Sequence, residues 1–338
     1  MKASIRAFVL LGLCVTPAFA ADHNSGVTSL GSAGSNFGGL LNPFSGGNLV
    51  DSVVDQAYRS GQCKEVEGKN GMNSVPVDFL KGMGYSLVRS LCGRGSMNEY
   101  SANSVGSVKG LLTAPAGLYS KNDVLASSHY NTGAMNVAGP GNAASTYAIL
   151  AALAMQESDA NIVESVDTSK NASLNSQQAA EAGAYQMSAD SQDLLDKGAY
   201  QELLGSYVSS LQAAASNPLR IEAICRISKF TGDGKNNSKK AINPQELIQR
   251  VQQAMMGVSS LSPKLDPEKF QEMNKSCPAF ATEYAALVAR ANLGHNGPLV
   301  RGEVKPSEGC TQMFEKLSKM SSDQSICSDV GLSTGIHP

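Results

Sequence analysis

Six cysteines spread along the chain restrict the folds that it can adopt. They are Cys63, Cys92, Cys225, Cys277, Cys310 and Cys327. Their number is even, no two are spaced as Cys-x-x-Cys, and the histidines that could complete a zinc site stand far apart. In an exported chain this pattern predicts three disulfides, with the pairing left open, rather than a metal site. We therefore expect a cross-linked fold and no bound metal.

The N-terminus indicates export. Residues 1–20 combine Lys2 and Arg6 with an apolar run over 7–15 and a small-x-small ending at Ala20. This is the pattern of a cleaved signal peptide, and cleavage would remove the seventh cysteine, Cys14. No later apolar run approaches the roughly 20 residues that a membrane span requires. We expect a periplasmic or secreted protein without a membrane span.

The charge balance excludes one class of partner. The chain has 338 residues, with 27 basic and 29 acidic side chains and a formal net charge of −2. A protein that binds a nucleic-acid backbone needs a strongly basic face, so nucleic acid is not expected as a partner. We expect a monomer that needs no cofactor.

Apolar residues at helical spacing predict a mainly α fold. A Gly/Ser/Asn-rich leader over 21–47 has few large apolar residues to offset its ordering entropy. We expect a helical and loop-rich extension over 48–144, loops over 93–144 that can line a cleft, and a helical body over 145–330. A Cys63–Cys92 bridge would join the first two helices. The predicted helices span 49–58, 79–91, 190–196, 199–215, 219–230, 244–257, 267–275, 278–293 and 309–320.

The body begins with the segment that carries most chemical information. Ser145 and Thr146 have the character of a helix N-cap, and the apolar run YAILAALAM that follows predicts a buried helix. Glu157 comes directly after this run. A carboxyl group at the edge of a hydrophobic core has a raised pKa, so it can stay protonated and act as a general acid.

Two short motifs in this region resemble a known superfamily. Glu157-Ser158 at the helix end is followed by Gly183-Ala184-Tyr185-Gln186. Together they resemble the Glu-Ser and Gly-x-x-Gln motifs of the lysozyme-like superfamily, in particular soluble lytic transglycosylases and goose-type lysozymes. The resemblance covers about 145–300 and implies a lysozyme-like helical fold and cleavage of peptidoglycan glycan strands.

The same resemblance assigns roles to individual residues. It implies that Glu157 is the catalytic acid and that Ser158, Gly183, Tyr185 and Gln186 line the substrate cleft. A third motif of the superfamily, Ala-Tyr-Asn-x-Gly, has a partial counterpart at Asn292, where the preceding tyrosine is replaced by alanine. Asn292 is therefore a further candidate for substrate binding.

A second carboxylate would decide the mechanism. A retaining glycosidase places it about 5–5.5 Å from the acid, an inverting one about 6.5–9.5 Å away, and a lytic transglycosylase can rely on one glutamate and the substrate's own groups. Sequence leaves the hydrolase and the transglycosylase open and does not rank the candidates, which are Asp167, Glu164, Glu181 and Asp190.

Local charge gives a hint about the substrate. Residues 157–202 contain nine acidic residues against two lysines. Such a segment attracts ammonium groups more than carboxylates. We therefore expect a preference for deacetylated glycan, as in chitosanases and in the lysozymes with which predatory bacteria open a modified wall, although the helical part of this excess is typical of a solvated face.

Other residues have simpler interpretations. Tyr147 and Tyr284 lie on apolar helices and are expected in the core, while His129 and His295 are expected on the surface. An exported helical module that binds glycan or protein without catalysis remains the alternative function.

Overall fold

Most of the described chain is helical, as the spacing of its apolar residues predicts. The computed structural model describes residues 46–68, 71–92, 106–164, 181–195, 197–231, 243–292, 294 and 297–330. These residues belong to one structural unit, Pro43–Pro338. The predicted signal peptide and the predicted leader up to residue 45 lie outside the described residues. The fold class is mainly α.

Each predicted helix has a counterpart in the structure. One of them, 219–230, is divided at Arg226, whose φ of 55° ends α6 before α7 begins. Another, 190–196, is a 3-10 turn over Ala189–Leu194. The short helices α3, α11 and α13 were not predicted, because four to seven residues carry little periodicity. The helices are α1 (Gly46–Arg59), α2 (Val77–Cys92), α3 (Val108–Thr113), α4 (Pro140–Ser158), α5 (Lys197–Ala213), α6 (Pro218–Cys225), α7 (Ile227–Thr231), α8 (Pro244–Met255), α9 (Pro267–Ser276), α10 (Pro278–Ala291), α11 (Gly297–Val300), α12 (Glu308–Met320) and α13 (Gln324–Val330).

One antiparallel hairpin interrupts the helices. Strand β1 (Glu65–Gly68) pairs with β2 (Gly71–Ser74), and Glu67 also forms a bridge with Lys305. Sequence analysis missed this hairpin, because only Val66 shows the alternation of a half-buried strand.

Helix α4 is the central helix of the core. Residues 142–155 are all buried, as the all-round apolar pattern predicts. The predicted start at Ser145 and Thr146 is wrong, because Gly139 precedes the first helical residue, Pro140. The amide of Asn142 donates to the carbonyls of Ala114, Met135 and Val137. The Asn142 amide therefore binds the preceding loop to the first turn of α4. These tertiary contacts explain why the helix begins before Ser145, where the local cap signal predicts its start.

Three disulfides confirm the prediction from the cysteine count. They are Cys63–Cys310, Cys92–Cys327 and Cys225–Cys277. The expected Cys63–Cys92 bridge is wrong, because the turn after α1 packs on the start of α12. A Cβ on Gly309 would lie 1.9 Å from the backbone oxygen of Gln62. Disulfides of this kind are typical of an exported protein.

The predicted extension and the predicted body share one hydrophobic core. Helix α2 packs on α4, α10 and α12, and α3 packs on α4 and α10. The predicted boundary at residue 144 lies inside α4. Both segments therefore contribute their described helices to the same unit.

Two ion pairs are buried in this core. Arg290 donates from Nε to Oδ1 of Asp123 at 2.9 Å and from Nη2 to Oδ2 at 3.0 Å. Its guanidinium also donates to the carbonyls of Leu112 and Ala114. The second pair, Arg89 with Glu283, includes the hydroxyl of Tyr207. Buried charges need such partners, so these groups fix how α2, α5 and α10 meet.

Among the described residues, no helix is both long and apolar enough to cross a membrane.

The buried pair of Asp123 and Arg290 yields a prediction about stability. Asp123→Asn removes the charge that compensates Arg290, and breaking a buried pair in this way costs about 3–5 kcal/mol. Urea unfolding measures the loss. The control is Asp193→Asn, which breaks the exposed pair with Lys264 (3.1 Å) and should cost less than about 1 kcal/mol. Equal effects of the two substitutions would contradict the structural role of Asp123.

Candidate active site

Glu157 lies in the last turn of α4, where the core meets the surface. Its side chain is half-buried and follows the fully buried residues 151–155. The helix ends because Asp159 and Ala160 adopt left-handed φ angles of 54° and 60°. The backbone N–H groups of both residues donate to the carbonyl of Ala154. The sharp end of the helix exposes the Glu157 carboxyl group at the edge of the core.

The hydroxyl of Ser158 joins the two predicted motifs. It donates to the carbonyl of Ala184 at 2.9 Å, across a sequence separation of 26 residues. It also accepts from the backbone N–H of Asn161 at 3.1 Å. The turn of the second motif, closed by a bridge between Ala182 and Met187, is thereby held on the end of α4.

Gly183 has two reasons to be glycine. Its φ is +76°, a conformation that L side chains rarely adopt. A Cβ at this position would also lie 2.7 Å from the backbone oxygen of Asn274. The turn therefore approaches α9 more closely than any other residue type permits.

Gln186 stabilises the same turn from within. Its φ is 48°, and its side-chain amide donates to the carbonyl of Gly183 at 2.9 Å. Its backbone N–H donates to the same carbonyl at 3.1 Å. The side chain predicted to bind substrate thus has at least one structural hydrogen bond.

Tyr185 does not line a cleft, which corrects the role predicted for it. Its side chain is 2% exposed, and its hydroxyl lies 3.0 Å from Oγ1 of Thr282 on α10. Burial raises the pKa of this phenol above its usual range. A buried ring cannot stack on a sugar, so Tyr185 anchors the turn to the core. Tyr147 and Tyr284 are buried as predicted.

Among the described candidates for the second carboxylate, Glu164 has the most direct hydrogen bonds to this site. Its side chain accepts from the amide of Asn161 at 2.6 Å, and its backbone oxygen accepts from Gly183 at 3.2 Å. Glu181 is exposed and precedes the turn, while Asp190 is exposed and accepts from the Ser188 hydroxyl at 2.5 Å. Asp167 lies outside the described residues.

Asn292 is not brought to Glu157, which separates it from the other predicted site residues. Tyr185 lies in the turn that Ser158 holds on the C-terminal end of α4, and it contacts Thr282 near the start of α10. At the other end, Arg290 of α10 and Asn142 of α4 both donate to the carbonyl of Ala114. The two helices are therefore antiparallel, and Asn292 lies near the start of α4, about 20 Å along the axis from Glu157.

Arg301 is a neighbour of Glu157 that sequence analysis missed. It forms a two-contact ion pair with Glu303, at 2.5 and 2.8 Å. The pKa of Arg301 is raised, first by this hydrogen bond and to a smaller extent by the negative charges of Glu303 and Glu157. No local motif surrounds Arg301, so only the fold reveals that a cation lies within electrostatic range of the candidate acid.

Two acids of the acidic segment have roles inside the fold. Asp193 pairs with Lys264, and Glu202 accepts from the backbone N–H of Val108 at 2.8 Å, at the start of α3. The exposed Asp193 fits the solvated face expected for the helical part of the segment, whereas Glu202 is half-buried and has a structural role. Asp196 lies outside the described residues.

Backbone strain is concentrated at this site. In the described parts of the chain, positive φ occurs at four non-glycine residues, and three of them are Asp159, Ala160 and Gln186. Such conformations cost about 1–3 kcal/mol each and cluster at functional sites. The strain is a reason to look for function here that does not depend on any motif.

Comparisons with known proteins give no relative: no family model, no curated protein and no solved structure matches the chain. Fold and site together define a mainly α, disulfide-linked protein with a half-buried glutamate at a strained helix end.

The fit of Gly183 against α9 is testable. Gly183→Ala should lower the free energy of unfolding by about 1–2 kcal/mol for the left-handed φ and by about 1–3 kcal/mol more for the overlap with Asn274. The matched control is Gly257→Ala, with φ +70° and open space around it, which should show the first loss alone. Chemical denaturation of both variants measures the difference, and equal losses would contradict the close approach.

Proposed function

We propose that this protein cleaves the glycan strands of peptidoglycan as a lysozyme or lytic transglycosylase, with Glu157 as the general acid. The observation that carries the proposal is the position of Glu157, half-buried at the end of a buried helix and next to Ser158, whose hydroxyl holds the Gly183 turn. The motifs in this region resemble those of the lysozyme-like superfamily, and we propose the same helical fold for 145–330. The three disulfides support a place in the periplasm or outside the cell.

The proposed chemistry begins with a proton on Glu157. The protonated carboxyl group donates to the oxygen of the scissile glycosidic bond as the bond breaks. An oxocarbenium-like centre then develops on the sugar. It is attacked either by water, in a hydrolase, or by a hydroxyl of the substrate itself, in a lytic transglycosylase.

A second carboxylate would stabilise that centre or activate the water. Of the candidates, Glu164 has the best support, because its backbone and side chain bind the Gly183 turn and Asn161. These hydrogen bonds would keep the Glu164 carboxylate in place beside the Gly183 turn. Glu181, Asp190 and Asp167 remain alternatives.

The charge around the site favours an amine-bearing strand. Asp159 and Glu164 follow Glu157 in the chain, and Glu181 precedes the neighbouring turn. Negative charge of this density attracts ammonium groups and repels the carboxylates of ordinary peptidoglycan. We therefore propose a preference for deacetylated glycan, which would be abandoned if fully acetylated walls were degraded equally well.

A binding function without catalysis is the second candidate. The observation in its favour is that Tyr185 is buried and that Gln186 donates to its own turn, so two residues expected to contact a sugar have structural roles. Such a module would bind glycan or protein through the surface at the C-terminal end of α4. Binding would not depend on the acidity of Glu157.

Glu157→Gln separates the two functions. We expect wall-degrading activity to fall by about 100-fold or more, because the amide cannot donate the proton, while glycan binding persists. Dye release from purified walls, deacetylated and acetylated, measures the loss.

Asp159→Asn is the control for this experiment. It removes one negative charge two positions after Glu157, and asparagine tolerates the left-handed backbone at this position. Asp159→Asn should retain activity. Full lysis by Glu157→Gln would refute the catalytic role, and products ending in an anhydro sugar would identify a transglycosylase.

A further inference from the structure

A concave site lies on the N-terminal half of α4, away from Glu157. It is a cavity of about 470 Å³ between the N-terminal half of α4, the first two turns of α12 and the segment around 129–135. This volume is in the range of pockets that hold small molecules, roughly 300–1,000 Å³. The residues that α4 contributes, from Gly141 to Ile149, precede Glu157 by two to four helical turns.

The lining combines an apolar wall with a few polar groups. Ile149 of α4, Met135 and Pro306 provide apolar surface, and Tyr130 adds an aromatic ring. The hydroxyl-bearing side chain of Ser145 lies on the same face of α4. His129, Thr132 and Thr311 also line the cavity. Apolar surface beside polar side chains is typical of a site for an organic molecule rather than for a hydrated ion.

The charge in this cavity comes from two carboxylates on one helix face. Glu308 and Glu315 both line it, and two turns of α12 separate them, about 10 Å along the helix axis. Among the described residues neither forms an ion pair. The nearby ammonium of Lys305 donates to the carbonyl of Gly302 instead. The cavity thus has two negative positions on α12 at a distance from each other, while Ile149 and Met135 provide apolar surface on its other walls.

This arrangement selects against the other simple ligands. An anion would be repelled by both carboxylates. A metal ion needs several ligands at one point, and no group of three acidic, histidine or cysteine side chains forms such a site among the residues that the structure describes. Glu308 accepts a hydrogen bond from the side-chain amide of Gln312 at 3.2 Å, but a purely apolar ligand would bring no cation to either carboxylate.

We propose that this cavity binds a linear aliphatic polyamine, with its apolar methylene chain on Ile149 and Met135 and its terminal ammonium groups at Glu308 and Glu315. The ligand is held at both ends by charge and along its length by burial of its methylene groups. The site is separate from Glu157, and its occupation does not require the proposed glycan cleavage.

The test is calorimetric titration of the mature protein with spermidine. We expect saturable binding that weakens with added salt, because the ammonium groups bind partly exposed carboxylates. Putrescine is shorter and should bind more weakly, since it cannot reach both ends. A neutral diol with a carbon chain as long as spermidine should not bind measurably.

Three variants locate the site. Glu308→Gln and Glu315→Gln should each weaken spermidine binding by about five-fold, the effect of losing roughly 1 kcal/mol of ion pairing. The matched control is Glu268→Gln, an exposed glutamate in the first turn of α9, which should leave the affinity unchanged. All three substitutions preserve side-chain size, and circular dichroism checks that each variant is folded.

The outcomes are decisive for the proposal. Absence of spermidine binding to the wild type at millimolar concentration, or equal affinity in all three variants, would overturn it. Glu157→Gln must retain spermidine binding, so a failure of the proposed wall cleavage and a failure of the polyamine site are distinguished.

Discussion

Burial of α4 is the constraint on which the rest of the structure depends. Residues 142–155 are all buried, so both ends of this helix must be connected to the protein by specific polar contacts. Asn142 makes these contacts at the beginning, with three carbonyls of the preceding loops. Ser158 makes them at the end, with the turn around Ala184. The candidate acid is placed where it is because the buried helix ends there.

Polar contacts within the core tie distant parts of the chain to this helix. Arg290 on α10 binds Asp123 and the end of α3, and Arg89 on α2 binds Glu283. The disulfides Cys63–Cys310 and Cys92–Cys327 join the first helices to the last. The result is a rigid body in which strain at Asp159, Ala160 and Gln186 can persist, because the surrounding contacts leave these residues no other arrangement.

Local patterns predicted the features that depend on nearest neighbours. The all-round apolar run predicted the burial of α4, the even cysteine count predicted three disulfides, and Glu157 at the end of the run predicted a carboxyl group at the core edge. The errors have a common origin. Ser145 has the local character of a cap, but contacts made by Asn142 extend the helix. The motif predicts Tyr185 in the cleft, and this fails because its burial depends on Thr282, which is remote in the chain.

The sequence by itself determined the helical class, the number of disulfides and the position of Glu157 on a buried helix. It also predicts export from the signal at the N-terminus. These follow from periodicity and composition, which act over a few residues. Tertiary structure alone decided the disulfide pairing, the antiparallel order of α4 and α10 that separates Asn292 from Glu157, and the approach of Arg301. It also created the cavity between α4 and α12. All of these require residues far apart in the chain to meet, and no local pattern encodes which of them do.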